Sequence, residues 1–288
     1  METEYRWLHS SIFYNRRQWN SLLAGGIAPF CSAAAREGRL KRFIVHFNEQ
    51  RGQNVRVAFE VKKTFERPFL ARLSDYFTNY LGLHPSSPPE QILPIRNFIG
   101  DFPVNKVFYH LYDLQRSCLN PACEEALQEF RHKFSDAMII ALAEEVIEPD
   151  LIETFFLYAG LTLLASFLDL SPPGCAADLR ARCLQNLGQH DLHRIERLMM
   201  EFSNVLHEIT ADIREGTDSG TALGWLNNWR DACRNLTELS SSLDKPFHID
   251  LFMLAMESLA SQTNIPISRS RILMWSMVRE TLDFHIGD

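Results

Sequence analysis

The chain has 288 residues, with 29 Lys and Arg against 36 Asp and Glu, giving a formal net charge of -7. Apolar residues make up 46% and charged residues 23%, which excludes a disordered, collagen-like or disulfide-dense chain and leaves enough material for a real core. Residues 1–10 lack a basic segment followed by an apolar one, so no secretory signal is read and a cytoplasmic protein is expected.

Tyr5 to Tyr14 is aromatic and apolar enough for a strand. Asn15 suits a helix N-cap, and Trp19, Leu22 and Leu23 begin a helical pattern that Gly25-Gly26 and Pro29 are expected to break before a second segment reaching Gly38. Two alternating runs follow, Arg42 to Asn48 and Val55 to Val61, joined by a polar, Gly-containing turn. That is the signature of a hairpin. Phe69, Leu73, Tyr76, Phe77, Tyr80 and Leu81 then recur at helical spacing.

The Pro-rich stretch from His84 to Pro94 reads as a linker or long loop, and from Asn120 onward the pattern is helical almost throughout. Leu192 to Ile209 holds one apolar helix face. Phe155 to Leu168 is the longest apolar stretch, closed by Glu153 before it and Asp169 after it. As a helix it would rise roughly 21 Å, short of a bilayer core, so a buried helix is expected. The fold class is therefore α+β, with an N-terminal strand-helix-hairpin-helix unit packed on a mainly helical C-terminal subdomain. The expected division is 1–83 basic α+β, 84–119 connecting, and 120–288 helical.

Charge is unevenly spread. Residues 1–72 hold 13 Lys and Arg against 6 Asp and Glu, a net +7, and the remainder carries -14. The basic part suits either an acidic neighbour within the chain or an anionic ligand. The acidic remainder argues against a dedicated duplex nucleic-acid binder.

Nucleotide-binding, nucleophile-elbow, zincin and EF-hand motifs are absent from the sequence. Cys31, Cys118, Cys123, Cys175, Cys183 and Cys233 show no C-x-x-C pair, so reduced, mostly buried thiols are expected. His190 and His193 lack an obvious third ligand, and no metal site is read from them. Trp225 and Trp229, four apart, are assigned to core. His46 and Arg56 project from the same hairpin face, opposite to Phe43, Val45, Phe47, Val55, Val57 and Phe59. They are either solvent-facing residues or a proton-handling and anion-binding pair.

Phe43-Ile44-Val45-His46-Phe47 and Asn54-Val55-Arg56-Val57-Ala58-Phe59 resemble an F-F-I-R-Y…H-L-R-L-R-F hairpin. That hairpin belongs to the C-terminal, glutamate-eliminating domain of lantibiotic dehydratases and to free-standing thiopeptide-type bacteriocin biosynthesis proteins. Trp7-Leu8-His9-Ser10, Pro29-Phe30 and the segment Ser258 to Ile265 extend the resemblance along the chain.

The resemblance implies elimination of glutamate from a glutamylated precursor peptide, or joining of two dehydroalanines into a nitrogen ring with expulsion of the leader. Neither reaction calls for a cofactor or a metal. The departures are specific. Asn54 replaces a His, Ala58 and His46 each replace an Arg, Ser261 stands for a His and Ile265 for an Arg, while Arg56 and Asn264 are kept. Ordinary glutamate elimination is not expected from that set.

A cyclase, a divergent lyase using His46, and a non-catalytic subunit presenting precursor to a separate dehydratase all remain open, as does an unrelated helical scaffold. The implied catalytic residues are Arg56, His46 and Asn264, with Arg42, Asn54 and Arg96 as substrate-binding candidates. The expected partners are a precursor leader peptide and a dehydratase subunit, with no membrane and no direct nucleic acid.

Overall fold

Strand alternation in the first part of the chain resolves into a four-stranded antiparallel sheet of order β2-β3-β1-β4. Its strands are β1 (Tyr5–Phe13), β2 (Leu40–Asn48), β3 (Asn54–Lys62) and β4 (Lys106–Tyr109). The structure is a computed structural model describing residues 4–88, 102–109, 121–143, 152–187, 204–213, 224–242 and 244–285. It separates into two units, Met1–Cys118 with Met138–Asp150, and Leu119–Ala137 with Leu151–Asp288. The class is α+β, with the sheet near the N-terminus and helices beyond it.

In the sheet unit, Asn15 accepts a hydrogen bond from the Arg17 amide and starts a short 3-10 turn, Arg16–Gln18. The chain then runs through α1 (Trp19–Leu22), a π-helical turn (Leu23–Ile27) and α2 (Ala28–Arg36). Gly25-Gly26 therefore does not break the helix, as the pattern had suggested. The glycines admit a close tyrosine: a Cβ on Gly25 would meet the Tyr80 hydroxyl at 3.0 Å, and Tyr76 donates to the Gly26 carbonyl at 3.1 Å. Both tyrosines belong to α3 (Glu66–Leu83), the helix foreseen from Phe69 to Leu81.

One face of the sheet packs on these helices. Trp19 stacks on Phe47 at 4.6 Å, and Phe30 touches Phe59, Phe69, Tyr76 and Phe77. Strand β4 was not foreseen. Four residues are too few to show a period, and its register is set from outside, by Asn105 donating from its backbone to the Phe13 carbonyl at 2.7 Å.

The helical unit contains α4 (Pro121–Ala143), α5 (Ile152–Leu170), α6 (Cys175–Gln185), α7 (helical over 204–213), α8 (Gly224–Ser241), α9 (Lys245–Thr263) and α10 (Ile267–His285). The last two turns of α4 group with the sheet unit. Helix α5 lies at the centre and packs on α8, α9 and α10. It is long and apolar enough to cross a membrane, yet it is mostly buried, which fits the core helix read from Phe155 to Leu168.

Trp225 and Trp229 are core residues, set against Phe155, Phe130 and Phe134, and Trp229 Nε1 donates to the Ala159 carbonyl at 3.0 Å. The described cysteines Cys31, Cys123, Cys175, Cys183 and Cys233 are buried thiols. Burial pushes the Cys183 thiol up to about 12, which removes it from thiolate chemistry. Cys118, His190, His193 and the first two thirds of the Leu192–Ile209 pattern lie outside the described residues.

His248 of α9 is fully buried, stacked on Phe167 at 4.4 Å, with Ser171 Oγ and Ser240 Oγ each 2.7 Å from a ring nitrogen. It thus ties α5, α8 and α9 together. His248→Ala is expected to cost roughly 2–4 kcal/mol from lost packing and stranded hydroxyls. Burial also lowers the pKa of this imidazole, keeping it neutral when folded. An unfolded imidazole takes up a proton near pH 6.5, which the folded protein resists. Stability should therefore fall as pH drops from about 6.5 toward the lowered folded value. Thermal unfolding from pH 7.5 to 5.0 checks this, with a shallower pH slope expected for His248→Gln.

Candidate functional site

The antiparallel register of β2 and β3 sets His46 directly opposite Arg56, and β1 sets Ser11 on the other side of Arg56. Opposed residues share a face with Cβ atoms about 5 Å apart, so Ser11, Arg56 and His46 form one row across three strands. This face turns away from the one holding Phe47 and Phe59. Arg56 and His46 are half-buried, and Arg56 Nη2 donates to Gln50 Oε1 at 3.2 Å. The row therefore combines a donor fork fit for an anion with an imidazole able to accept or return a proton.

The neighbouring rows explain what else the face can do. His9 on β1 is buried and lies on the same face, two residues from Ser11. Its only earlier signal was its place in Trp7-Leu8-His9-Ser10, yet strand alternation alone puts it beside the Arg56 row. At the hairpin turn, Phe13, Phe102 and Phe108 make an apolar cluster with centroids 4.3–5.5 Å apart.

Two substrate-binding candidates are occupied structurally. Arg42 lies opposite Glu60, and the pair is buried with Nε 2.6 Å from Oε2, so this guanidinium is held by a carboxylate of its own sheet. Asn54 is fully buried and donates to the Gln50 and Gly52 carbonyls at 3.3 and 2.7 Å, closing the turn between β2 and β3. Arg96 lies outside the described residues.

In the helical unit, Asn264 ends α9 in the left-handed conformation, with φ 58°, where an asparagine is tolerated far better than most residues. The segment just before it is polar and locked to α4. Arg131 Nε donates to Ser258 Oγ at 3.0 Å, and Gln262 Nε2 donates to the Arg131 carbonyl and Ser135 Oγ at 3.1 and 2.9 Å. Burial pulls the Arg131 guanidinium below its usual pKa. Ser258 and Gln262 were quoted only as part of a resembling segment; their spacing of four is what sets both toward one neighbouring helix. Among the described residues, no three His, Cys, Asp or Glu side chains gather as a metal centre would require.

No protein-family model and no curated protein sequence matches the chain. Among solved structures it is similar to the pyridine synthase TbtD from thiomuracin biosynthesis, with TM-score 0.67 and 14% identity over 98% of this chain and 100% of that one. It is similar to TsrL with TM-score 0.62 and 10% identity, over 98% and 96% of the two chains. A third similarity is to the tRNA dependent lantibiotic dehydratase MibB from Microbispora sp. 107891, with TM-score 0.59 and 14% identity. It covers all of this chain but 29% of that enzyme. The fold is thus one found in thiopeptide and lantibiotic biosynthesis proteins, the fold the hairpin resemblance implies.

The two arginines on this face should respond differently to mutation. Glu60→Ala strands the buried Arg42 and is expected to cost roughly 3–5 kcal/mol. Arg56→Ala removes a half-exposed group and should cost under about 1 kcal/mol. Urea unfolding of both variants measures the contrast, and equal losses would contradict it.

Proposed function

We propose that the protein modifies a ribosomally made precursor peptide, joining dehydroamino acids into a ring or forming them by elimination of glutamate, on the sheet face that carries His46 and Arg56. The observation that carries this reading is the full-length fold match to a pyridine synthase, covering nearly all of both chains, together with an imidazole and a guanidinium paired across strands.

Cyclisation is the favoured arm for a physical reason. Glutamate elimination needs a base at Cα, electron flow into a Cα=Cβ bond, and cations holding the carboxylate that leaves from Cβ. On this face Arg42 is held by Glu60, whereas Arg56 meets the neutral Gln50 amide, and Arg56 is the guanidinium assigned to that task among the described residues. Ring closure between two dehydroalanines depends mainly on holding them in contact, and one donor fork plus one proton-handling group suits it. In this scheme Arg56 binds the developing negative charge or a peptide carbonyl, and His46 moves the proton.

Mass spectrometry of a precursor carrying two dehydroalanines, incubated with the protein, tests the reading. A leader fragment should be released with a ring-containing product. Arg56→Ala should lower kcat/KM by roughly 100-fold or more, and His46→Gln by a comparable factor. Full activity of Arg56→Ala would remove it from the site. Tight precursor binding with unchanged mass would assign the protein a presenting role, and loss of glutamate from a glutamylated precursor would assign it to elimination.

A further inference from the structure

Among the described residues, the helical unit leaves two large apolar side chains in water, Leu184 at 43% and Ile267 at 66% exposed. Both belong to one neighbourhood. Leu184 is in the last turn of α6, two residues before Asn186, and Asn186 lines a pocket together with Ile267, the first residue of α10. The pocket encloses about 310 Å³, its open mouth included, and its floor is Phe156, Met253, Met256 and Met274, all buried. Unbranched thioether side chains adapt to whatever apolar tip enters. Ile267 stands beside this hollow and does not fill it. Its position is fixed, because the Ser270 amide donates to the Pro266 carbonyl at 2.9 Å and Ser270 Oγ to the Ile267 carbonyl at 3.0 Å. Arg269 then ties the same turn to Glu153 of α5 through two bonds of 3.2 and 2.9 Å. At the pocket mouth stand one exposed acid and one exposed base, Glu257 from α9 and Arg271 from α10. Neither makes an ion pair with a described residue.

We propose that this face docks a second copy of the chain about a two-fold axis. Ile267 of each copy enters the other's methionine-floored pocket, and Glu257 of each copy meets the other's Arg271. A two-fold contact requires a surface complementary to itself, so that where one residue meets another the reverse contact is also made. This patch meets that condition twice, with a knob beside a hole and an acid beside a base. A uniformly acidic or basic partner would meet a like charge at the mouth, which a second copy avoids. One knob, one pocket and one ion pair per side is at the small end of protein interfaces, so the copies exchange between monomer and dimer and form no permanent assembly. The inference is independent of the peptide-modification reading, and it uses none of the residues assigned to that reaction.

Sedimentation velocity of the full chain over roughly 5–500 µM tests this, since the dimer fraction follows mass action. The wild type should shift from monomer toward dimer across that range. Ile267→Asp should raise the dimer Kd by about tenfold or more, through loss of the knob. An acidic residue suits the first turn of α10, so this variant keeps its fold, which circular dichroism checks. Glu257→Arg and Arg271→Glu should each weaken the dimer similarly, because each sets like charges face to face, and combining them should restore it. Arg67→Glu on α3 changes the net charge as much as Arg271→Glu does but lies on the sheet unit, and it should leave the Kd unchanged. A monomer at every concentration, a dimer indifferent to Ile267→Asp, or a charge swap that fails to restore association would overturn the proposal.

Discussion

Side chains alternate across a strand, so the register in which β2 meets β3 decides which residues share a face. A slip of one residue would carry His46 and Arg42 to the side of Phe47 and Phe59 and bury them against Trp19 and Phe30. Three features hold the register. Asn54 closes the turn through the Gln50 and Gly52 carbonyls, the aromatic residues lock one face onto helices, and Arg42 meets Glu60 near the far end. A buried ion pair of this kind adds little net stability, but breaking it leaves a charge stranded, so it penalises other registers.

That constraint gives the polar face a division of labour. Arg42 and Glu60 satisfy each other and belong to the architecture, whereas the half-buried Arg56 reaches a glutamine amide near the turn. Sequence position alone treats the two arginines as equivalent cations. Their surroundings differ: one is held by a buried carboxylate of its own sheet, the other meets a neutral glutamine amide. The helical unit follows the same logic, since Arg131, Ser258 and Gln262 fasten α4 to α9 just before the turn at Asn264. In the proposed reading, the row of Ser11, Arg56 and His46 carries the chemistry.

Much of this was legible in the chain. The hairpin declares itself because Val55, Val57, Phe59 and Val61 alternate with Arg56, Ala58 and Glu60, and one face of a half-apolar strand has to be buried. The resemblance placed His46 and Arg56 at the centre, and the register pairs them. The same register pairs Arg42 with Glu60, four residues further along each strand, so the role of Arg42 was within reach of the pattern. Gly25-Gly26 misled because glycine marks both chain breaks and close approaches; only the Tyr80 ring against it distinguishes the two. Strand β4 and the partners of Ser258 depend on contacts with residues far along the chain, which local periodicity does not encode.

The central claim is that His46 and Arg56 act as one unit, and a double-mutant cycle on turnover of a dehydrated precursor measures it most directly. Rates for His46→Gln, Arg56→Gln and the combined variant should be strongly non-additive, the pair together costing little more than the worse single change. Independent, multiplicative losses, or wild-type rates in all three proteins, would contradict the account.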